Sequence, residues 1–183
     1  MKYLIASDIH GSYAACKAVL QRLGNEQAGK LILLGDLLYH GPRNPLPDEY
    51  NPQAVADALN ALAVKPLCVR GNCDSEVDQM VLNFPIMADY ALLPLPGNKT
   101  AFLTHGHLYS VYDRPPINDG DLIIHGHTHI HIVETNNGLT YLNPGSAALP
   151  HDGQPKSYMT LDWEQSLFEI KAFDGTVLKS YQA

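Results

Sequence analysis

Five short apolar runs in this chain each end in a cluster of Asp, His or Asn side chains, and this repeated arrangement constrains the fold more than any other feature. The runs have the length of buried strands. The clusters that follow them are Asp8–His10, Gly35–Asp36, Gly71–Asp74, Thr104–His107 and His125–His129. In α/β sheets, ligands bind where successive strands end at one edge. The pattern therefore predicts one sheet edge at which these clusters share a site.

The segments between the apolar runs predict helices in the first part of the chain and hairpins in the second. Ser12 is placed to cap a helix that ends at Leu23, before a glycine, and Asn51 is placed to cap a second helix through Ala63. Asn136–Gly138 lies between two extended runs, which is a strong hairpin signal. We expect an α/β fold in which two sheets form a sandwich covered by helices.

The size, composition and charge of the chain limit its class. Its 183 residues, 45% of them hydrophobic and 17% charged, suit one globular domain that spans residues 1–183. A formal net charge of −7 disfavours duplex binding, which depends on many Lys and Arg contacts to phosphates. We therefore expect small substrates and no stable nucleic-acid complex.

The cysteine count and the hydropathy pattern predict a protein of the reducing cytoplasm. Three cysteines without CxxC spacing do not suggest a disulfide framework. The sequence shows no secretory signal and no run approaching the ~18 apolar residues that a membrane span requires. The oligomeric state stays open, because the strand-rich C-terminal part offers an edge at which identical chains can pair.

The side chains in the five clusters are metal ligands by type. The candidates are Asp8, His10, Asp36, Asn72, His105, His127 and His129. Seven nitrogen and oxygen ligands are too many for one four-coordinate ion and suit two divalent ions about 3.5–4 Å apart. Asp36 is the natural bridge between the ions, because it stands alone at its strand end. Ligands of this kind accept Mn²⁺, Zn²⁺, Fe²⁺, Co²⁺ or Ni²⁺.

The order of the motifs resembles that of the calcineurin-like metallophosphoesterases. Along the chain they read Asp-x-His, Gly-Asp, Gly-Asn-x-Asp, His-Gly-His and Gly-His-Thr-His, and Asn143–Ser146 is similar to a further loop of that family. Together with the short length, they resemble its small bacterial YfcE-type phosphodiesterases. The resemblance implies a four-layer α/β sandwich and a metal-dependent phosphoric diester hydrolase, with Mn²⁺ favoured. Its expected reaction is attack of a metal-bound hydroxide on the phosphorus of a small phosphodiester.

The resemblance also assigns roles to individual residues. It places the first metal on Asp8, His10, Asp36 and His129, and the second on Asp36, Asn72, His105 and His127. His107 then lies beside the site without being a core ligand, and it either contacts the substrate phosphate or transfers a proton. Asn72, Cys73 and His107 are the candidate catalytic residues.

Cys73 departs from the family pattern. Many members carry His at this position, and that His is thought to help protonate the leaving oxygen. A thiol with an ordinary pKa near 8.5 matches this proton transfer poorly at neutral pH. The chain is therefore expected to favour leaving groups that depart readily as anions, such as aryl groups, and diesters over alkyl monoesters.

For several other residues the sequence allows two interpretations. Arg43 either clamps a phosphate oxygen with its planar guanidinium or is a solvated loop residue. Asp74 either caps a helix or fixes its neighbours, and Asn143–Ser146 is either a tight turn or a source of backbone donors near the metals. His125 is expected to be buried and hydrogen-bonded. The remaining histidines, His40, His131 and His151, are expected at the surface or the rim.

Two other functions compete with the phosphodiesterase. One is a phosphomonoesterase or nucleotidase, which Cys73 disfavours. The other is a scaffold on the same fold, such as the retromer subunit that resembles this family and has lost catalysis. A family member that has lost catalysis usually lacks at least one metal-binding His. Here the ligand set is intact, which favours an enzyme over a scaffold.

Overall fold

The computed structural model describes residues 1–183 and contains three α-helices and eleven strands. The helices are α1 (Tyr13–Asn25), α2 (Pro52–Asn60) and α3 (Glu76–Val81). The strands are β1 (Lys2–Ala6), β2 (Lys30–Leu33), β3 (Leu67–Cys68), β4 (Tyr90–Leu95), β5 (Lys99–Thr104), β6 (Leu122–Ile124), β7 (His131–Asn136), β8 (Leu139–Pro144), β9 (Ser157–Asp162), β10 (Leu167–Ala172) and β11 (Val177–Gln182). None of the helices is long and apolar enough to cross a membrane.

The strands form two mixed sheets. The first has the order β11-β10-β9-β1-β2-β3 and the second has the order β4-β5-β6-β8-β7. Strands β1, β2 and β3 run parallel to one another, as do β5, β6 and β8. The segments that follow these parallel strands carry the polar clusters, so each sheet contributes ligands from the carboxyl ends of its strands.

Alternate residues of the buried strands face two different cores, which explains why the runs are apolar throughout. In β1, Leu4 packs under helices α1 and α2, whereas Ile5 packs between the sheets against residues such as Ile124 and Leu142. The side chains of both layers are buried, so the strand ends are anchored by a core on each face of the first sheet.

The predicted two-sheet sandwich is confirmed, with an irregular segment as its outermost layer on one side. The outer face of the second sheet buries Phe102 and Tyr141 beneath Tyr109, Val111 and Ile117. These three covering residues lie between β5 and β6 in a segment without helix.

Two boundary predictions need correction, and one strand was missed. Helix α1 continues through Gly24 to Asn25, because Gln27, with a φ of 52°, supplies the left-handed turn that the glycine was expected to supply. Helix α2 ends at Asn60 rather than Ala63. Strand β11 was not predicted, because most of its residues are exposed at the sheet edge and form no apolar run.

Candidate metal centre

The five clusters converge at one edge of the sandwich, as the sequence predicts. Main-chain hydrogen bonds tie the loops together: His10 N–H donates to the carbonyl of Asp36 at 2.8 Å, and Gly126 N–H donates to that of His105 at 2.8 Å. The ligand atoms of Asp8, His10 and His129 lie within 4.8 Å of one another, and so do those of Asp8, Asp36 and His105. A third group is formed by His10, Asp36 and Cys73, so Asp8, His10 and Asp36 each belong to two groups.

The backbone at these residues is held in an uncommon conformation. Among the predicted ligands, positive φ values occur at Asp8 (58°), His10 (50°), Asp36 (56°), His127 (67°) and His129 (59°). For residues other than glycine, such conformations cost on the order of 1–3 kcal/mol each and cluster at functional sites. These conformations lower the stability of the fold, but they orient the ligand side chains toward a common point.

Three histidine rings are fixed so that the same nitrogen faces the centre. In each ring, Nδ1 donates a hydrogen bond to a main-chain carbonyl, which turns Nε2 toward the centre, where it can bind a metal once the ring is neutral. The pairs are His10 with Tyr39 (2.9 Å), His105 with Leu34 (2.7 Å) and His129 with Leu149 (2.6 Å). Second partners of this kind are typical of histidines that bind metals.

A divalent cation fits the group formed by Asp8, His10 and His129. The Nε2 atoms of the two rings lie 3.1 Å apart, so two lone pairs face each other across the gap. Asp8 Oδ1 lies 3.2 Å from His129 Nε2, is buried, and has no hydrogen-bond partner. A buried anionic oxygen without a partner is costly, and a cation between these three atoms satisfies all of them.

Asp36 lies between the two ligand groups. Its Oδ2 is 3.6 Å from His10 Nε2 and 3.4 Å from His105 Nε2, while its Oδ1 accepts a hydrogen bond from the Cys73 N–H at 2.8 Å. Asn72 Oδ1 lies 3.1 Å from His105 Nε2, which adds an amide oxygen to the second group. Asp36 is therefore close to the side chains of both groups.

The structure brings His127 and His107 beside His105. The ring centroid of His105 is 5.1 Å from that of His127 and 5.4 Å from that of His107. The N–H of His127 also donates to Asp8 Oδ2 at 3.1 Å. Burial, together with the charge of His105 in the metal-free protein, lowers the pKa of His107 to about 4. A ring that is neutral at pH 7 suits a hydrogen-bonding role better than proton donation.

Asp74 fixes the positions of its neighbours rather than capping a helix. Its carboxylate is buried and accepts hydrogen bonds from the N–H groups of Asp36 (2.9 Å), Leu37 (2.9 Å) and Gly71 (2.7 Å). The cap of α3 is Ser75. Asp74 therefore ties the loop after β2 to the loop after β3 and holds Asp36 in place.

Asn143–Ser146 holds ligand-bearing backbone instead of lining the site. Ser146 Oγ donates to the carbonyl of Asp8 at 2.9 Å, and Asn143 Nδ2 donates to that of Gly126 at 2.8 Å. His125 is buried nearby, with Nδ1 3.1 Å from the Gly126 carbonyl, as expected for a hydrogen-bonded core ring.

A cleft of about 480 Å³ opens over the ligands. Its walls are formed by His10, Asp36, Gly41, Pro42, Arg43, Asn44, Asn72, Cys73, His127, Thr128, His129 and His151. Arg43 and Cys73 were candidates from the sequence, but Asn44 and Thr128 were not. The position of Thr128 between two ligand histidines is a signal that could have identified it. His151 lies at the rim as expected, stacked on His129 with ring centroids 4.6 Å apart.

Arg43 differs from the other arginines of the chain in having no protein partner. Arg22 binds the Phe173 carbonyl, and Arg70 and Arg114 bind carboxylates. A turn presents Arg43 to the cleft, because the N–H of Asn44 donates to the Gly41 carbonyl at 3.3 Å. The guanidinium is therefore free to bind an anion.

The thiol of Cys73 remains protonated in the metal-free protein. Burial and the nearby charge of Asp36 raise its pKa to about 12. Its Sγ accepts a hydrogen bond from Asn72 Nδ2 at 3.3 Å and lines the cleft. Without a bound metal, a thiol with this pKa holds its proton near neutral pH.

Metal binding is expected to release protons at pH 7. Burial favours a neutral His105, but the hydrogen bond with Asp36 and the charge of Asp8 outweigh it and raise the pKa of His105 to about 9. Below that pH the ring carries a proton that a metal must displace, so apparent affinity should rise about tenfold per pH unit between pH 6 and 8. Calorimetry of Mn²⁺ binding in buffers of different ionisation enthalpy measures the released protons. An affinity independent of pH would contradict this.

Comparison with known proteins agrees with the fold. Residues 1–166 match the calcineurin-like phosphoesterase superfamily domain. The chain is 48% identical to phosphodiesterase YfcE of Escherichia coli over 162 residues, 88% of each chain. It is 30% identical to the probable metallophosphoesterase YsnB of Bacillus subtilis over 181 residues, 95% of this chain and 91% of that one.

A solved structure of the E. coli phosphoesterase YfcE covers 100% of this chain and 99% of its own, with a TM-score of 0.94 and 43% identity. Vps29 from Entamoeba histolytica shares the fold, with a TM-score of 0.62 at 24% identity, 100% coverage of this chain and 98% of that one. The ordered motifs, the converging ligands and these similarities lead to one conclusion: the chain belongs to the calcineurin-like phosphoesterase superfamily.

Proposed function

We propose that this protein is a dinuclear-metal phosphodiesterase that hydrolyses small phosphodiesters. The observation that carries the proposal is the position of Asp36, whose Oδ2 lies between His10 Nε2 at 3.6 Å and His105 Nε2 at 3.4 Å. When bound, two divalent ions supply a water of lowered pKa as the nucleophile and neutralise the phosphoryl oxygens. The name of the E. coli relative, a phosphodiesterase, supports the choice of diester.

The proposed ligand groups follow the two clusters of side chains. Asp8, His10, Asp36 and His129 hold the first ion, and Asp36, Asn72, His105 and His127 hold the second. We propose Mn²⁺ as the native metal, with Zn²⁺, Fe²⁺, Co²⁺ or Ni²⁺ as alternatives, because the set combines imidazoles with carboxylate and amide oxygens.

Arg43 and His107 are the proposed substrate contacts. The guanidinium of Arg43 has no protein partner and lines the cleft, so it can bind a non-bridging phosphate oxygen as a planar fork. The neutral ring of His107 lies beside His105 and His127, where it can hydrogen-bond a second phosphate oxygen.

The diester preference follows from Cys73. A leaving group must depart here without a strong acid, so good leaving groups react fastest. A diester also brings one negative charge less than a monoester into a cleft that has one arginine on its walls. No observation favours the scaffold alternative, since each proposed ligand position keeps a metal-binding side chain.

Cys73→His is expected to widen the range of leaving groups. The imidazole restores an acid near the leaving oxygen, so hydrolysis of alkyl esters should rise about tenfold relative to aryl esters, a small part of what general acids supply. Steady-state rates on a matched alkyl and aryl diester measure this ratio, and Cys73→Ser is the control because it adds no acid. An unchanged ratio in the His variant would mean that Cys73 does not face the leaving group.

The proposal is tested by hydrolysis of an aryl phosphodiester beside the matching monoester. The protein is stripped with a chelator and then assayed with and without Mn²⁺. Metal-dependent cleavage that favours the diester is expected. A preference for the monoester would overturn the substrate class. Absence of turnover with every divalent metal would favour the alternative that the protein is a non-catalytic scaffold.

The acidic chain and its polar cleft support small substrates over long nucleic acids. The three free cysteines, two of them buried, support the expected reducing cytoplasmic location.

A further inference from the structure

The cleft walls are unusually polar for a small-molecule site. Pockets of this kind are mostly lined by hydrophobic and aromatic side chains, but only one of the twelve residues that line this cleft is hydrophobic, and none is Phe, Tyr or Trp. The nearby Tyr39 and Tyr50 line a separate pocket that shares no residue with the cleft. A nucleobase or an acyl chain would therefore find no Phe, Tyr or Trp side chain to pack against, and the flat groups that remain are the histidine rings and the Arg43 guanidinium.

The residues that line the cleft include free hydrogen-bond donors and free acceptors. Thr128 Oγ accepts a bond from Asn143 Nδ2 at 3.1 Å, so its own proton is available to a ligand. Asn44 Nδ2 donates to the His40 carbonyl at 2.8 Å, which leaves its side-chain oxygen as an acceptor. Arg43, which also lines the cleft, adds unpaired donors. Hydroxyl groups both donate and accept, so they match this mixed set better than an anion, which only accepts.

From this lining we infer that the natural substrate is a phosphodiester with hydroxyl-rich arms, of the glycerol or sugar type, rather than a nucleotide or a lipid. The inference rests on the proposed function and specifies its substrate. Its chemistry also suits Cys73, because a neighbouring hydroxyl on the leaving arm can hydrogen-bond the departing oxygen and so replace part of the missing acid. Water attacks phosphorus and the P–O bond to one arm breaks; the hydroxyl of the water stays on phosphorus and its other proton passes to the departing oxygen, so the products are a phosphomonoester and a free polyol.

The experiment compares three diesters with the Mn²⁺-loaded enzyme: an aryl diester, glycerophosphoglycerol and a dinucleotide. Both natural-type diesters release an alkoxide, so their difference reports recognition of the arms. We expect kcat/KM for glycerophosphoglycerol to exceed that for the dinucleotide by about tenfold, the effect of one or two additional hydrogen bonds. Failure to cleave the aryl diester would defeat the proposed function itself. Cleavage of the aryl diester with an equal or better dinucleotide, or with no cleavage of glycerophosphoglycerol, would overturn only the substrate class.

Thr128→Val gives a second test, because it keeps the shape of the side chain and removes the hydroxyl. It should lower kcat/KM for glycerophosphoglycerol by about tenfold, mainly through KM, and affect the aryl diester less. Thr135→Val on β7 is the matched control outside the cleft and should change neither substrate. Equal losses on both substrates at Thr128 would contradict hydroxyl recognition at this wall.

Discussion

Asp36→Asn is expected to remove bound metal and activity together while the fold is kept. The substitution retains the size of the side chain and an oxygen that can accept the Cys73 N–H bond, but it removes the negative charge shared by the two ligand groups. Loss of several kcal/mol of electrostatic stabilisation should lower kcat/KM on an aryl diester by about a thousandfold or more. Metal content after Mn²⁺ loading and the rate on the same preparation measure both effects.

Asp48→Asn is the matched control for the Asp36 variant. Asp48 also lies in a loop, but it is exposed and pairs only with Lys156 at the surface, so its loss should leave metal content and rate unchanged. Full metal content and full activity in Asp36→Asn would show that Asp36 does not bridge the ions.

Gly71→Ala is expected to disrupt the centre from outside the ligand set. A Cβ at this position would overlap the main-chain N and Oδ1 of Asp36 and lie 2.9 Å from its Cγ. The Asp36 side chain must move, so metal binding should be lost, and the overpacking should cost about 1–3 kcal/mol of unfolding free energy. Urea unfolding and the Mn²⁺ content of the loaded protein measure the two effects.

Gly24→Ala is the matched control for Gly71→Ala, because the same substitution should here raise the stability of the protein. Gly24 lies in α1 with nothing within 4 Å of an added Cβ, so alanine should stabilise the protein by about 0.5–1 kcal/mol through helix propensity. A Gly71→Ala protein that binds two ions with wild-type stability would contradict the close approach of the two loops.

Much of the site was predictable from the sequence because its ligands follow buried strands directly. Asp8, Asp36 and His105 each stand within two residues of an apolar run, and parallel strands bring their ends together whatever the loops do. The two-sheet architecture followed from the same runs and from the hairpin signals.

Other features depend on tertiary distances that a local pattern does not contain. Asp74 looked equally like a helix cap, and only its contacts with the loop after β2 distinguish the two roles. Asn44 and His151 reach the cleft from the loop after β2 and the loop after β8, and neither lies in a ligand motif. The irregular layer over the second sheet was expected as helix because sheets of this class are commonly covered by helices.

The sequence also does not predict the strained backbone at the ligand residues. Left-handed conformations are ordinarily expected at glycine or asparagine, yet they occur here at Asp8, Asp36 and three histidines. Hydrogen bonds between the loops hold these residues in place, as with His10 N–H on the Asp36 carbonyl. The cost is consistent with a centre whose geometry is set before the metals bind.

The number of Mn²⁺ ions required for activity is the most direct test of a dinuclear phosphodiesterase. Chelator-stripped protein is titrated with Mn²⁺ while bound metal and aryl diester hydrolysis are measured on the same samples. The shared position of Asp36 predicts two ions per chain, with activity appearing only as the second is bound. Full activity at one ion per chain would contradict the dinuclear centre.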